Sequence, residues 1–232
     1  MKHLIVNFIK KKYFFSIIKK MIKRLEKDTS VEAIKWAKSN VKQTTEEFCK
    51  SIDVLLYDEV QSDTRLIEKE ARENLSKLNI SFGGRGNFIL LYFLIRKYKL
   101  LNIVETGVAA GWSSLAILKA LKKNNNGHLY SSDFPYFRLK NPEKYIGYLA
   151  KNESNKNNWF LDIRGDDKAL PEITKLIGNK NIDLFHYDSD KSYSGRSNAL
   201  KLIGSNLSSK TIIIFDDIQD NLFFKNLVKN LN

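Results

Sequence analysis

Short apolar runs alternate with segments of helical spacing from Asn87 to the end of the chain. Runs that are apolar almost throughout are typical of strands buried on both faces of a parallel sheet. The segments between them repeat apolar residues about every 3.6 positions, which predicts helices. The predicted strands are NIVET, GHLYSSD, NWFLDIRG, IDLFHYD and TIIIFDD; the predicted helices are NFILLYFLIRKYK, WSSLAILKALKKN, KALPEITKLIG and YSGRSNALKLIGSN. This order predicts an α/β fold, with a parallel sheet covered by helices on both faces.

The first 80 residues show helical spacing and no strand pattern. Residues 30–78 contain neither glycine nor proline, and we predict two helices there, at about 30–49 and 53–78, with Thr29 or Ser30 capping the first. The glycines of SFGGRG at 81–86 are the first strong helix breaker. The pattern therefore predicts a helical region over 1–80 and a core domain over 81–232.

The N-terminal arm, residues 1–28, is strongly basic. Residues 1–27 carry a net charge of +8 out of +13 for the whole chain, so a nucleic-acid surface covering the whole protein is not indicated. Lysines interrupt its apolar stretch, which argues against a signal peptide. Its second half is predicted to have an apolar face and a basic face. The apolar face comprises Phe14, Ile17, Ile18, Met21, Ile22 and Leu25. The basic face comprises Lys19, Lys20, Lys23, Arg24 and Lys27.

Three interpretations of this arm remain open. It could pack on the body of the protein or on a partner in a homodimer, it could contact an anionic membrane, or it could bind RNA. The single cysteine, Cys49, excludes an intramolecular disulfide and is expected to be a buried residue on a helix. We therefore expect a cytoplasmic protein, held at the inner face of the membrane if the arm binds lipid.

Acidic residues follow every predicted strand. Parallel sheets bind ligands beyond the carboxyl ends of their strands, so these residues are candidates for a site. They are Glu105, Asp133, Asp166 with Asp167, Asp188 to Lys191, and Asp216 with Asp217.

The turn after the first strand is typical of a nucleotide-like cofactor site. Gly107 and Gly111 let the backbone turn tightly and approach a ligand. Asp133, 26 residues after Gly107, ends the second strand, where a carboxylate can accept both ribose hydroxyls, and Phe134 could cover an adenine. NAD and S-adenosylmethionine (SAM) both suit this half of the site. The third glycine of the dinucleotide fingerprint is absent, which favours SAM.

Four motifs in order resemble those of class I SAM-dependent methyltransferases. The resemblance is to the branch that holds small-molecule and sugar O-methyltransferases and catechol O-methyltransferase, and it covers about residues 85–220. It implies a Rossmann-like, mostly parallel sheet, here with an N-terminal helical extension. The motifs are IVETGVAAGWSSLAIL, HLYSSDFPYF, IDLFHYDSDKSY and IIIFDDI.

The resemblance also implies roles for individual residues. Glu105, Gly107, Gly111 and Ser113 would line the methionine part of SAM, Asp133 would hold the ribose, and Phe134 with Asp166 would contact the adenine, with Asp188 also at the cofactor. Mg²⁺ would bind to Asp188, Asp216 and Asp217, since hard oxygen ligands suit this ion.

Lys191, three residues after Asp188, would act with Asp188 in catalysis, as the lysine of catechol O-methyltransferase does. A lysine can serve as the base only if its pKa is lowered, which burial and a nearby metal would achieve. The competing interpretation pairs Lys191 with Asp190 on a solvated turn. His186 is expected to be a buried histidine and not a ligand.

The expected activity is metal-assisted O-methylation of a small molecule or sugar, for example in glycan biosynthesis. One departure weakens it: the family's usual C-terminal strand hairpin is missing, so the fifth strand would expose an apolar edge unless the N-terminal helices or a partner cover it. The alternatives are a non-catalytic relic that binds a ligand or a membrane, an RNA methyltransferase and an NAD-dependent oxidoreductase. Nucleic acid is disfavoured as a partner because DSDK does not resemble the Asn-Pro-Pro-Tyr turn of base-methylating enzymes, and Cys49 lies outside the core domain.

Overall fold

A computed structural model describes residues 2–10, 13–15, 17–18, 21, 31–78, 80, 82, 84–153 and 157–231. Its helices are α1 (Lys2–Ile9), α2 (Val31–Ser39), α3 (Thr45–Ile52), α4 (Val54–Ser76), α5 (Phe88–Tyr98), α6 (Trp112–Lys123), α7 (Asp166–Ile177), α8 (Tyr193–Ile203) and α9 (Phe223–Leu231). Its strands are β1 (Asn102–Thr106), β2 (His128–Ser132), β3 (Trp159–Asp162), β4 (Leu184–Tyr187) and β5 (Ile212–Phe215).

The five strands form one parallel sheet in the order β3-β2-β1-β4-β5. Their ends are in register, because Thr106 pairs with Ser132 on one side and with Tyr187 on the other, and Tyr187 pairs with Phe215. The residues that follow β2, β1, β4 and β5 therefore meet at one edge of the sheet. The predicted α/β fold is confirmed.

Each face of the sheet is covered by helices around its own buried core. On one face, α4, α5 and α6 bury side chains such as Ile67, Phe93 and Ile117 against the strands. On the other face, α7 and α8 bury Ile173 and Ile203 among others. The first core also contains residues of α3 and α4, so the N-terminal helices and the sheet share it. The boundary predicted between residues 80 and 81 stays a prediction, and it does not divide this core.

The helical region has one more break than the spacing predicted. α2 ends at Ser39, and α3 begins after Thr44, whose side chain accepts a hydrogen bond from the Glu47 amide at 3.2 Å while the Glu47 carboxylate accepts one from the Thr44 amide at 2.8 Å. This capping box starts a new helix and replaces the single predicted helix over 30–49. Asp53 then caps α4 by accepting a hydrogen bond from Leu56 at 3.0 Å. The predicted cap at Thr29 or Ser30 lies outside the described residues.

β5 lies at an edge of the sheet. β4 is its only neighbour among the strands that the structure describes, and Ile213 is 37% exposed. α2 packs beside this edge, against the 3₁₀ turn Ile218–Asp220 and α9. The Trp36 and Phe224 rings pack in a tilted arrangement with centroids 6.1 Å apart, and Glu32 pairs with Lys225 at 2.6 Å. An N-terminal helix thus lies close to the exposed end of the sheet, as the sequence suggested.

The described part of the arm begins with α1. Most of the amphipathic helix predicted over its second half, including Lys19, Lys20, Ile22 and residues 23–27, lies outside the described residues. In the part of the chain that the structure describes, every helix is too short or too polar to span a bilayer.

Candidate active site

The turn between β1 and α6 depends on two glycines. Gly107 has φ +84°, and a Cβ there would lie 2.3 Å from the Asp188 carbonyl oxygen. Gly111, with φ +96°, is the N-cap of α6, and a Cβ there would lie 2.9 Å from the Cα of Gly147. Both positions require glycine for backbone conformation and for space. They allow the turn to lie directly against the end of β4 and the loop that follows β2.

Glu105 lies beneath this turn and not at its surface. Its side chain is fully buried, and one carboxylate oxygen accepts hydrogen bonds from Ser114 at 2.6 Å and Ser131 at 2.9 Å. The other oxygen, Oε1, has no hydrogen-bond partner among the described residues and lies 4.0 Å from Nδ1 of His186. A buried carboxylate oxygen without a donor is costly, so Glu105 fits a site that receives a donor from a ligand.

Asp133, Phe134 and Asp166 form a second group beside the glycine turn. The Asp133 carboxylate accepts hydrogen bonds from the amides of Ala109 and Phe134, both at 2.6 Å. The Phe134 ring lies on Gly165, where a Cβ would be 2.1 Å from the ring. Asp166, the first residue of α7, accepts from Ser132 at 2.7 Å and from Ser189 at 2.5 Å. The structure therefore brings the residues predicted at the ribose and adenine together, beyond the ends of β2 and β3.

Lys191 lies between two carboxylates at the ends of β4 and β5. Its ammonium contacts the Asp188 carboxylate and lies 3.1 Å from Oδ2 of Asp217. The alternative pairing with Asp190 is wrong, because Asp190 turns the other way, accepts a hydrogen bond from the Ser192 amide at 3.0 Å and packs over Gly195. The lysine predicted for catalysis is thus directed into the cluster of acidic strand ends.

The charges in this cluster change the pKa values of its members. Burial opposes the charged form of Lys191, but the carboxylates of Asp188 and Asp217 raise its pKa above the ordinary value. In this arrangement the pKa of Lys191 is therefore raised, which does not favour a lysine base. Burial raises the pKa of the Asp188 carboxyl, and neighbouring Asp216 adds to the rise against the pull of Lys191. A carboxylate with a raised pKa is a better proton acceptor than an ordinary one.

His186 is buried within β4, as expected, and it lies between two carboxylates. Its Nε2 is 3.7 Å from Asp216, and its Nδ1 faces Glu105. Burial disfavours its charge, but contact with Asp216 and the charge of Glu105 raise the pKa of His186 above its usual value. The same contact lowers the pKa of Asp216. His186 therefore lies between Glu105, beneath the glycine turn, and Asp216, directly after β5.

The three aspartates predicted for magnesium do not converge on one point. Carboxylate oxygens suit the ion, but Asp188 and Asp217 turn to Lys191 whereas Asp216 turns to His186. Within the described ranges, no group of three acidic, histidine or cysteine side chains is placed to hold a metal ion. The donor chemistry fits Mg²⁺, but this arrangement of the carboxylates does not.

A small cavity of about 30 Å³ lies where the glycine turn meets this cluster. That is room for about one water, so a ligand as large as SAM requires its walls to separate. The segment before α5 forms one wall, which the sequence did not reveal, although the glycines of SFGGRG lie there. The lining residues are Gly84 to Asn87, Leu91, Gly107 to Ala110, Trp112, Ser113, His186, Asp188 and Asp216.

Arg196 of α8 is a functional residue that the sequence did not indicate. Its guanidinium is fully buried and donates to the backbone carbonyls of Asp216 at 3.0 Å and Asp217 at 2.8 Å. Asn221 continues this support by donating to the Lys191 carbonyl at 2.7 Å. The positions of both β5 carboxylates therefore depend on a buried arginine.

Comparisons with known proteins agree with this fold. A family model described as a methyltransferase domain matches residues 104–218, which run from β1 to the turn after β5. A comparison with curated proteins finds no significant match.

Solved structures of methyltransferases share the fold. One from Podospora anserina, bound to S-adenosylhomocysteine (SAH), has a TM-score of 0.50 and 16% identity, over 76% of this chain and 72% of the other. An O-methyltransferase from Bacillus cereus in complex with SAH has a TM-score of 0.50 and 13% identity, over 79% and 84%. The Streptomyces achromogenes O-methyltransferase of tomaymycin synthesis, in complex with SAM, has a TM-score of 0.50 and 14% identity, over 81% and 88%.

The family model and the shared fold identify this part of the chain as a class I SAM-dependent methyltransferase domain. Residues 104–218 of the chain belong to the methyltransferase-domain family.

Proposed function

We propose that this protein transfers the methyl group of SAM to a hydroxyl oxygen of a small molecule or a sugar. The observation that carries the proposal is the Lys191 ammonium held between Asp188 and Asp217, next to the cavity lined by Gly107 and Ser113. An acid–base cluster at this position would be within reach of a cofactor seated on the glycine turn. Two of the structural neighbours are named O-methyltransferases, which supports oxygen as the acceptor atom.

The cofactor end of the proposal follows the strand ends. Asp133 would hold the ribose, Phe134 and Asp166 would border the adenine, and the turn from Gly107 to Gly111 with Ser113 would accept the methionine part. Glu105 would accept a hydrogen bond from the cofactor at Oε1, which has no hydrogen-bond partner among the described residues. When bound, SAM supplies a methyl group activated by its positive sulfur, so the protein mainly has to align an oxygen with it.

The chain's own residues would then handle the proton of the acceptor hydroxyl. Asp188, whose pKa burial raises, is the group best suited to accept this proton as the oxygen bonds to the methyl carbon. Lys191 remains charged and stabilises the negative charge that develops on the oxygen. Lys191 is thus proposed as an electrostatic catalyst, and not as the base that the sequence suggested.

Metal assistance would require the three carboxylates to turn away from Lys191 and His186. Asp188, Asp216 and Asp217 would hold Mg²⁺, which would orient and acidify a hydroxyl, but the ammonium of Lys191 already contacts two of these carboxylates. Magnesium and Lys191 would therefore compete for the same oxygens.

The test is formation of SAH from SAM in the presence of a panel of polyols, sugars and catechols, with Mg²⁺ or with EDTA. We expect acceptor-dependent turnover that falls at least about 100-fold in Asp188→Asn and in Lys191→Met. Lys175→Met is the matched control, since Lys175 pairs with Glu172 on the exposed side of α7. Turnover that survives both changes at the site would contradict the proposed roles. Equal turnover rates in EDTA and in Mg²⁺ would show that the reaction needs no metal.

A non-catalytic relic is the second candidate. It is favoured by the small cavity and by hydrogen bonds that already engage Asp133 within the protein. A relic would bind SAH and show no turnover with any acceptor. Cytoplasmic location, a homodimer and the absence of nucleic-acid binding stay predictions.

A further inference from the structure

Helix α1 has its polar residue inside and apolar residues outside. Asn7 is 2% exposed and donates hydrogen bonds to the carbonyls of Phe137 and Leu139, both at 3.0 Å. Leu4 and Phe8 lie on the same side of the helix and pack on the buried cluster of Tyr13, Ile17 and Phe137. These contacts attach α1 to the loop that follows β2.

The opposite side of α1 presents large aliphatic side chains to solvent. Ile5 is 60% exposed, Val6 46% and Ile9 75%, and we call these three residues the outer face of α1. Phe15, shortly after the helix, is 79% exposed. An exposed apolar patch of this kind marks a site that contacts another protein or a membrane.

Basic residues are close to this face in the sequence and are exposed on the loop to which α1 is attached. The arm carries +8 over residues 1–27, and Lys10 is exposed directly after α1. The loop to which α1 is attached adds the exposed side chains of Arg138, Lys140 and Lys144. Aliphatic residues that protrude from a strongly basic surface fit the boundary between acyl chains and anionic headgroups.

We propose that the outer face of α1, with the basic residues around it, binds an anionic lipid bilayer. A second copy of the chain is a poorer occupant, because two surfaces of this charge repel each other. Nucleic acid would bind the basic side chains through its phosphates but would not bury Ile5, Val6 and Ile9. The inference concerns binding alone and does not depend on which hydroxyl is methylated.

Flotation of the full chain with vesicles tests the proposal. We expect binding to vesicles of phosphatidylcholine with 30% phosphatidylglycerol at about 0.1 M NaCl, and at least tenfold weaker binding to pure phosphatidylcholine or at about 0.5 M NaCl. The double variant Ile5→Ser/Ile9→Ser should bind the anionic vesicles at least tenfold more weakly, since its apolar contact is lost. Lys140→Gln/Lys144→Gln should weaken binding by a similar factor.

The matched control is Leu55→Ser/Leu66→Ser on α4, where the leucines are 84% and 64% exposed. This control should bind like the wild type, and SAH affinity and melting temperature should be unchanged in every variant. Wild-type protein that stays unbound on anionic vesicles would overturn the proposal. So would equal binding by wild type and Ile5→Ser/Ile9→Ser, because the charge alone would then account for the interaction.

Discussion

Lys191 takes a position that an external cation could also occupy. It is 16% exposed and contacts two carboxylates that come from different strands, through the short turn after β4 and the left-handed residue Asp217 after β5. Removing such a lysine leaves like charges near one another, and the cluster then attracts another cation. The same side chain can therefore support catalysis and limit metal binding.

This competition gives a prediction for Lys191→Met. The variant should bind Mg²⁺ more tightly than the wild type, because the ion no longer displaces an ammonium from Asp188 and Asp217. Titration calorimetry with MgCl₂ measures the difference, and Lys175→Met should behave like the wild type. Weaker Mg²⁺ binding by Lys191→Met would show that the lysine does not compete with the ion.

His186 gives a prediction about stability and pH. Its pKa is raised above 6.5 in the folded protein, so its charged form stabilises the fold fully below about pH 6.5. That contribution is lost as the pH rises through the folded-state value. The loss in unfolding free energy caused by His186→Gln should thus be larger at about pH 6 than at about pH 9, as measured by urea denaturation. The opposite trend would mean that His186 is neutral in the fold.

At the scale of elements, the turn from β1 to α6 is the most constrained part of the site. Gly107→Ala should lower stability by roughly 3 kcal/mol or more, because the new methyl group meets the Asp188 carbonyl and the backbone has φ +84°. SAH binding should be lost with it. Urea denaturation and SAH titration would measure the two effects.

Substitutions at two other glycines distinguish the cost of the steric contact from the cost of the backbone conformation. Gly178→Ala meets no atom within 4 Å but has φ +65°, so it should cost about 1–2 kcal/mol through backbone strain alone. Gly204→Ala has neither constraint and should be close to neutral. If Gly107→Ala lowers the free energy of unfolding no more than Gly178→Ala does, the close approach of Gly107 to the end of β4 does not contribute to the loss of stability.

The elements of the sheet were predictable because each strand is a short apolar run that ends in a polar residue or directly before one. The break between α2 and α3 was also readable, since Thr44 and Glu47 have the spacing of a capping box. The site was predictable only where residues follow strands. Arg196, which holds Asp216 from a helix, and the segment 84–87, which lines the cavity, act through contacts that no local pattern encodes.

At the scale of the molecule, the carboxyl-end edge of the sheet brings together residues that lie far apart in the sequence. The turns after β1, β2, β4 and β5 meet there because the strands are parallel and in register. The segment before α5 covers the centre of this edge, and α1 is attached to the loop that follows β2. The proposed cofactor site, acceptor site and membrane contact would therefore all lie on one protein.

Titration calorimetry with SAH in EDTA, on the wild type and on Asp133→Ala, tests the central claim most directly. Asp133 fixes the amides of Ala109 and Phe134 at the predicted ribose position, so wild-type protein should bind in the micromolar range and the variant at least tenfold more weakly. Glu172→Ala, on the far side of α7, is the control and should bind normally. Absence of SAH binding by the folded wild type, or equal binding by Asp133→Ala, would contradict the cofactor site described above.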